Sequence, residues 1–310
     1  MRQPASQIRP APGGDTAISA DAPAVAHPAG LDALAFPYQS EEMPMTPSPD
    51  GKDYRTMFGL KGRTVLVTGA CGGLGSAIVD LFVSAEARLI LSDIDEPALT
   101  DRVASINAPG SGHAALPLDL SDLSAVRAHM RALVARGDVP DSLILNAGMQ
   151  GPAGPIGEVG QDDWDRVMTV NLASAHAICS EILPAMAERG GGSIVFMASI
   201  AGLRGNKSIG LYGLTKAALS QFARNLAVEW GPRNIRANAI APGLTRTPLA
   251  RDLMANAAFM ERRMSMTPLR RVGEPEEIAA TALYLSSSAG AFVTGQTIVV
   301  DGGTLITDGG

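Results

Sequence analysis

The chain has 310 residues, with 25 Lys and Arg against 31 Asp and Glu, a net charge of −6 and only 4% aromatic residues. The acidic balance and the scarcity of rings argue against nucleic acid or an anionic membrane as a main partner. Two cysteines, Cys71 and Cys179, are too few for a disulfide framework, so a reducing, cytoplasmic setting is expected.

Residues 1–58 read as an extension distinct from the rest. Nine of the 21 prolines fall within residues 1–50, and such a stretch cannot bury enough surface to offset its ordering entropy. Residues 1–30 are expected to be disordered, while Leu31, Leu34, Phe36 and Tyr38 form an apolar cluster that could dock as an arm. The amino end lacks the apolar core of a secretory signal. The longest uncharged stretch, near the carboxyl end, is interrupted by Ser286, Gly290, Gly295 and Gln296, which argues against a spanning helix.

From about Leu60, short apolar runs alternate with helical patterns. The runs Thr64–Val67, Ala87–Leu91, Ala114–Leu118, Ser142–Leu145, Ser193–Met197, Ile235–Ile240 and Thr297–Val300 suit strands covered on both faces. Helices are predicted over 74–85, 96–106, 121–135, 161–188, 210–230 and 275–288. Repeated βα units imply an α/β fold, a doubly wound parallel sheet of about seven strands with helices on both faces, over residues 59–310.

The first strand runs into Thr68-Gly69-Ala70-Cys71-Gly72-Gly73-Leu74-Gly75 and then a helix. Glycines there let the backbone approach a pyrophosphate, which the helix N-terminus favours electrostatically. The alternative is a tight turn made for packing. The second strand ends at Asp93, followed by Ile94. A carboxylate there can accept from the adenosine ribose hydroxyls and would repel a 2′-phosphate, and residues 70–74 carry no Lys or Arg. NAD(H) is therefore expected over NADP(H). Helix capping is the competing role for Asp93.

Tyr212 and Lys216 lie four apart on a predicted helix and so share a face. An ammonium beside a phenol favours the phenolate and suits the pair to pass a proton to or from an alcohol oxygen. Ser199, 13 residues before Tyr212, follows the apolar run Ile194–Met197 and so stands at the carboxyl end of a strand, where such sheets bind ligands.

With these residues in place, roughly residues 60–303 resemble the short-chain dehydrogenase/reductase family. Its motifs occur in order: Thr68–Gly75, Asp119, Asn146-Ala147-Gly148, Asn171, Ser199, Tyr212 with Lys216, and Pro242-Gly243. The resemblance implies a Rossmann-type fold with Tyr212 as acid/base, Lys216 lowering its pKa and holding the nicotinamide ribose, Ser199 bonding the substrate oxygen, and Asn171 holding a proton-relaying water. It implies further that Gly69, Gly72, Gly73, Leu74, Gly75, Asp93, Ile94, Asp119, Leu120, Asn146, Ala147, Gly148, Pro242, Gly243, Thr245 and Thr247 line the cofactor, with Asp119 and Leu120 at the adenine and Thr247 at the carboxamide. Leu145 departs from the second Asn common at this place, which puts only a local structural bond in doubt.

The histidines (His27, His113, His129 and His176) show no metal-ligand spacing, so no metal is expected. Cys71 and Cys179 read as unreactive. Leu249, Leu253, Ala257, Met260 and Met264 fall near helical spacing and read as an apolar cover over the substrate, with Gln150, Arg204 and Asn206 adding polarity. Residues 167–180 carry no charge and 208–222 only Lys216, which points to burial in a subunit contact. The resemblance implies a homodimer or homotetramer. The function expected is hydride transfer between NAD(H) and a secondary alcohol or ketone. The alternatives are a 3-oxoacyl thioester reductase and a non-catalytic NAD-binding sensor or scaffold.

Overall fold

Seven parallel strands form one sheet in the order β3-β2-β1-β4-β5-β6-β7. They are β1 (Thr64–Thr68), β2 (Arg88–Asp93), β3 (Ala114–Pro117), β4 (Ser142–Leu145), β5 (Gly192–Met197), β6 (Ile235–Pro242) and β7 (Thr297–Val300). The computed structural model describes residues 54–307, apart from Pro109. The expected disorder of residues 1–30 and the apolar cluster at Leu31, Leu34, Phe36 and Tyr38 lie outside these residues.

Side-chain alternation along the strands divides the core in two. Val65 and Val67 of β1 face Ile78 and Phe82 of α1 (Gly73–Ser84), Leu99 of α2 (Glu96–Ile106) and Ile278 of α9 (Pro275–Ser286). Leu66 points the other way, toward Met130 of α3 (Leu123–Ala135), Ile178 and Ile182 of α5 (Ser174–Glu188) and Leu219 of α6 (Gly210–Trp230). All five residues of β1 are buried, as a central strand covered on both faces requires.

Local chemistry sets the helix starts. The Asp95 carboxylate accepts from Ala98 N to cap α2, and Asp122 accepts from Ser124 N and Ala125 N to cap α3. Glu274 and Glu277 form a capping box at the head of α9. The start of α1 at Gly72 has no side-chain cap.

The predicted helix over 161–188 is interrupted. It comprises α4 (Gln161–Met168), a wider π turn over Thr169–Ala173 and then α5. The interruption holds Asn171, and such turns often mark functional positions. Two short helices, α7 (Arg251–Ala255) and α8 (Ala257–Ser265), follow β6.

The chain adds β2 and β3 on one side of β1, then crosses to place β4 on the other. At that reversal the loops part and leave a crevice beyond the carboxyl ends of the strands.

Candidate active site

A cleft of about 700 Å³ opens at this reversal. Its walls come from strand ends far apart in sequence: Thr68, Asp93, Leu118, Asn146, Ser199 and Pro242 all line it. The phosphate-loop residues Gly69, Gly72, Gly73 and Leu74 line it too, as do Ile94, Asp119, Leu120, Ala147, Gly148, Gly243, Thr245, Thr247, Tyr212 and Lys216. Of the cofactor residues expected from sequence, Gly75 is not in the wall.

Gly75 has a structural role instead, since a Cβ there would run into the carbonyl oxygen of Gly69. Gly69 has φ +65°, and a Cβ on it would lie 2.9 Å from Ala147 Cα. A Cβ on Gly73 would meet Pro248 Cδ at 2.7 Å, so the loop packs against the segment after β6. At Gly72 the nearest atom would be 3.4 Å away, so this glycine leaves the head of α1 open to the cleft. The uncapped N-terminus of α1 therefore meets the space where an anion would sit.

Asn146 and Thr68 tie the loop to β4. Asn146 Nδ2 donates to the carbonyls of Thr68 and Gly69 at 3.1 Å, and Thr68 Oγ1 accepts from the N–H groups of Asn146 and Ala147. Asp93 braces the same loop, accepting from Cys71 N at 2.9 Å and from Ile94 N at 2.8 Å. It does not cap α2, because Asp95 does. Asp119 accepts from Ser121 N at 2.8 Å, and that bond holds its carboxyl below the usual range.

Tyr212, Ser199 and Lys216 meet in one part of the cleft. Lys216 Nζ lies 5.4 Å from the Tyr212 ring centroid and donates to Met197 O at 2.7 Å. Burial brings its ammonium down to about 8. Burial pushes the Tyr212 phenol up, and interaction with the Ser199 hydroxyl pulls it back. The expected lowering by Lys216 is thus not seen in this structure. The ammonium is bonded to a carbonyl and is itself weakened by loss of water. Asn171 is buried, and its amide is fully used. Nδ2 donates to Met149 O and Thr215 Oγ1, while Oδ1 accepts from Met149 N at 2.8 Å. A Cβ on Gly148 would be 3.2 Å from both Asn171 Oδ1 and Lys216 Nζ, so this glycine keeps the two groups near each other.

The apolar cover is only partly as expected. Leu249, Ala250 and Leu253 line the cleft, while Ala257, Met260 and Met264 do not. The helical stripe breaks at Asn256, which caps α8 by accepting from Phe259 N. Gln150 lines the cleft. Arg204 is not in its wall, and Asn206 instead holds the loop after β5 by donating to Ala201 O and Arg204 O. Cys71 lines the cleft, but burial and the charges of Asp93 and Asp95 push its thiol up to about 11. Burial alone raises the thiol of Cys179. Among the described residues no three potential metal ligands come together. Nor is any helix among them long and apolar enough to cross a membrane.

Sequence reasoning missed Met149, Arg166 and Met197 in the cleft wall. Met197 and Met149 act through their backbones, which leaves no mark on residue type.

Residues 69–304 match the family described as enoyl-(acyl carrier protein) reductase, of the short-chain alcohol dehydrogenase type. The chain belongs to the short-chain dehydrogenase/reductase family. Among its relatives is a tropinone reductase homolog of Arabidopsis thaliana, 36% identical over 250 residues, covering 80% of this chain and 81% of that one. A 7α-hydroxysteroid dehydrogenase solved with NADH and 7-oxo glycochenodeoxycholic acid is 31% identical, with a TM-score of 0.76 over 81% of this chain and 98% of that one. A gluconate 5-dehydrogenase from Burkholderia cenocepacia, solved with NADP and tartrate, is 30% identical, with a TM-score of 0.77 over 81% and 98%.

This short-chain dehydrogenase/reductase is an oxidoreductase that acts on alcohol or ketone groups with a nicotinamide dinucleotide. The residues present suit such a cofactor. An uncapped helix start beside an open glycine fits a pyrophosphate, and the cleft continues unbroken from there to Tyr212.

Proposed function

We propose that this enzyme oxidises a secondary alcohol with NAD⁺, or reduces the corresponding ketone with NADH, with Tyr212 exchanging the proton. The reading rests on one observation: Tyr212, Ser199 and Lys216 share a single cleft with the open head of α1.

In the reducing direction Tyr212 donates its phenolic proton to the substrate oxygen while the Ser199 hydroxyl holds that oxygen in place. The raised phenol pKa suits this donation, because the proton is present at neutral pH. In the oxidising direction Tyr212 must first lose its proton, so that rate should climb as pH rises. Lys216 positions the site through Met197 and would hold the nicotinamide ribose. Asn171 fixes the strand-end loop at Met149. Leu249, Ala250 and Leu253 reduce water access on the substrate side. The nicotinamide, when bound, supplies or accepts the hydride.

The NAD(H) preference rests on Asp93 and Asp95, which line the end of β2 where a 2′-phosphate would fall. Arg102, whose charge reaches Cys71, is engaged by Asp80 and by Ser76 O. Comparable turnover with both dinucleotides at equal concentration would remove this preference.

Tyr212→Phe tests the chemistry. Turnover of an alcohol panel, followed by NADH absorbance, should fall about 100-fold or more. NADH binding should stay within about twofold of wild type, a difference too small to register as lost contact energy. Wild-type turnover in the Phe variant would refute the assignment.

Self-association is part of the same reading. Among the described residues β7 has β6 as its sole neighbour in the sheet; its Val299 is 39% exposed, and Phe292 in the preceding segment is fully exposed. On α6, Leu214 and Val228 are also exposed. An open apolar strand edge needs a cover, and a second copy supplies one.

A further inference from the structure

Only two cations stand among the described residues that line the cleft, Lys216 and Arg166. Lys216 belongs to the Tyr212 end. Arg166 stands on α4 and is exposed, and its charge reaches Asp119, beyond β3. Among the described residues its guanidinium forms no ion pair or hydrogen bond, and it lines the same cleft as Asp119. Leu118 and Leu120 flank the exposed Asp119 and also line the cleft, at 5% and 9% exposure, so apolar side chains and one carboxylate share that wall.

The support under Arg166 is rigid. Its neighbour Val167 is fully buried, and a Cβ on Gly151 would lie 2.6 Å from Val167 Cγ2. That close fit seats Val167, and with it this turn of α4, against the Gly151 backbone. The Arg166 carbonyl also accepts from Thr169 N at the entry to the π turn.

We infer that Arg166 binds the adenine of the dinucleotide by laying its guanidinium against the face of the base, opposite Leu120. A guanidinium is flat, weakly hydrated and always charged, and it stacks on aromatic faces. This end of the cleft combines the leucines, the Asp119 carboxylate and one unpaired guanidinium, which suits a planar base with exocyclic N–H donors better than a phosphate, which Asp119 would repel. The pyrophosphate has its own place at the head of α1. This inference rests on the dinucleotide-binding reading above and adds a residue to it.

The test compares whole and truncated ligands. Fluorescence titration of the full chain with NADH, NADPH and NMNH, which lacks the adenosine half, separates the two ends of the cleft. Arg166→Ala should weaken NADH about fivefold and leave NMNH unchanged. Arg166→Lys should stay weakened, because an ammonium has no flat face. ADP-ribose, titrated as a competitor, should lose affinity in parallel with NADH. Unchanged NADH affinity in Arg166→Ala overturns the inference and leaves the proposed function standing. Equal weakening of NMNH, or full rescue by lysine, also overturns it. A wild-type chain that binds neither dinucleotide removes both this inference and the proposed function.

Discussion

Lys216 carries two burdens in one side chain. It is 3% exposed, and its ammonium is bonded to a backbone carbonyl with no carboxylate paired to it among the described residues. Burial sets its proton release near pH 8, whereas the unfolded chain releases it near 10.5. Between those values the unfolded chain binds more protons, so the contribution of this group to stability rises with pH. The span is on the order of 3 kcal/mol. Urea melts of wild type and Lys216→Met at pH 8 and pH 10 should therefore diverge, with wild type gaining relative to the variant. Gly75 limits the molecule in a different way. Its missing Cβ is what allows α1 to start against Gly69 O. Gly75→Ala should cost about 1–3 kcal/mol through overpacking, read as a lower Tm, with dinucleotide affinity falling as the loop is displaced.

The π turn between α4 and α5 is the element that joins the sheet to the site. One extra residue in the turn sets Asn171 where its amide can meet both the N–H and the C=O of Met149, as a neighbouring strand would. Asn171→Ala leaves those two backbone groups and Thr215 Oγ1 short of a partner. A loss of about 1–3 kcal/mol is expected in denaturant melts. A drop in kcat should accompany it, because the loop it holds runs beside Lys216, while NADH affinity should fall less, since Asn146 and Thr68 hold that loop to the glycine turn independently. At the other end of the fold, α9 is held by Glu277. Its carboxyl accepts from Arg271 and from Glu274 N, and those bonds bring it down to about 2. The stability it contributes is full above its unfolded value of 4.5 and is lost as pH falls toward 2. Solvent at this half-exposed ion pair keeps that contribution modest.

For the whole molecule, the open edge of β7 decides what the surface must do. The strand Thr297–Val300 carries no charge and no proline, the usual guards of a free edge. Sedimentation at micromolar concentration should show a dimer or tetramer. Val299→Lys should shift the population toward smaller species without changing the helix content. A monomeric wild type would remove the self-association reading.

The strand pattern was legible because parallel strands buried on both faces must be continuously apolar. Thr64–Val67, Ser142–Leu145 and Thr297–Val300 appear within one residue of where periodicity puts them. The glycine turn was legible because a sharp strand-to-helix turn favours glycine, whereas Asp93, Ser199 and the Tyr212–Lys216 pair stood out through their place at strand ends or on one helix face and through the family resemblance. The break in the helix over 161–188 was not, since a π turn depends on what Asn171 meets across the fold. Nor was the raised phenol of Tyr212, because desolvation comes from neighbours distant in the chain. Sequence alone determined the layers, the glycine turn after the first strand and the side chains proposed to handle the proton. Only tertiary structure decided which of them share a cleft, that Gly75 serves packing and that Arg166 enters the wall, because burial and proximity are properties of the assembled molecule.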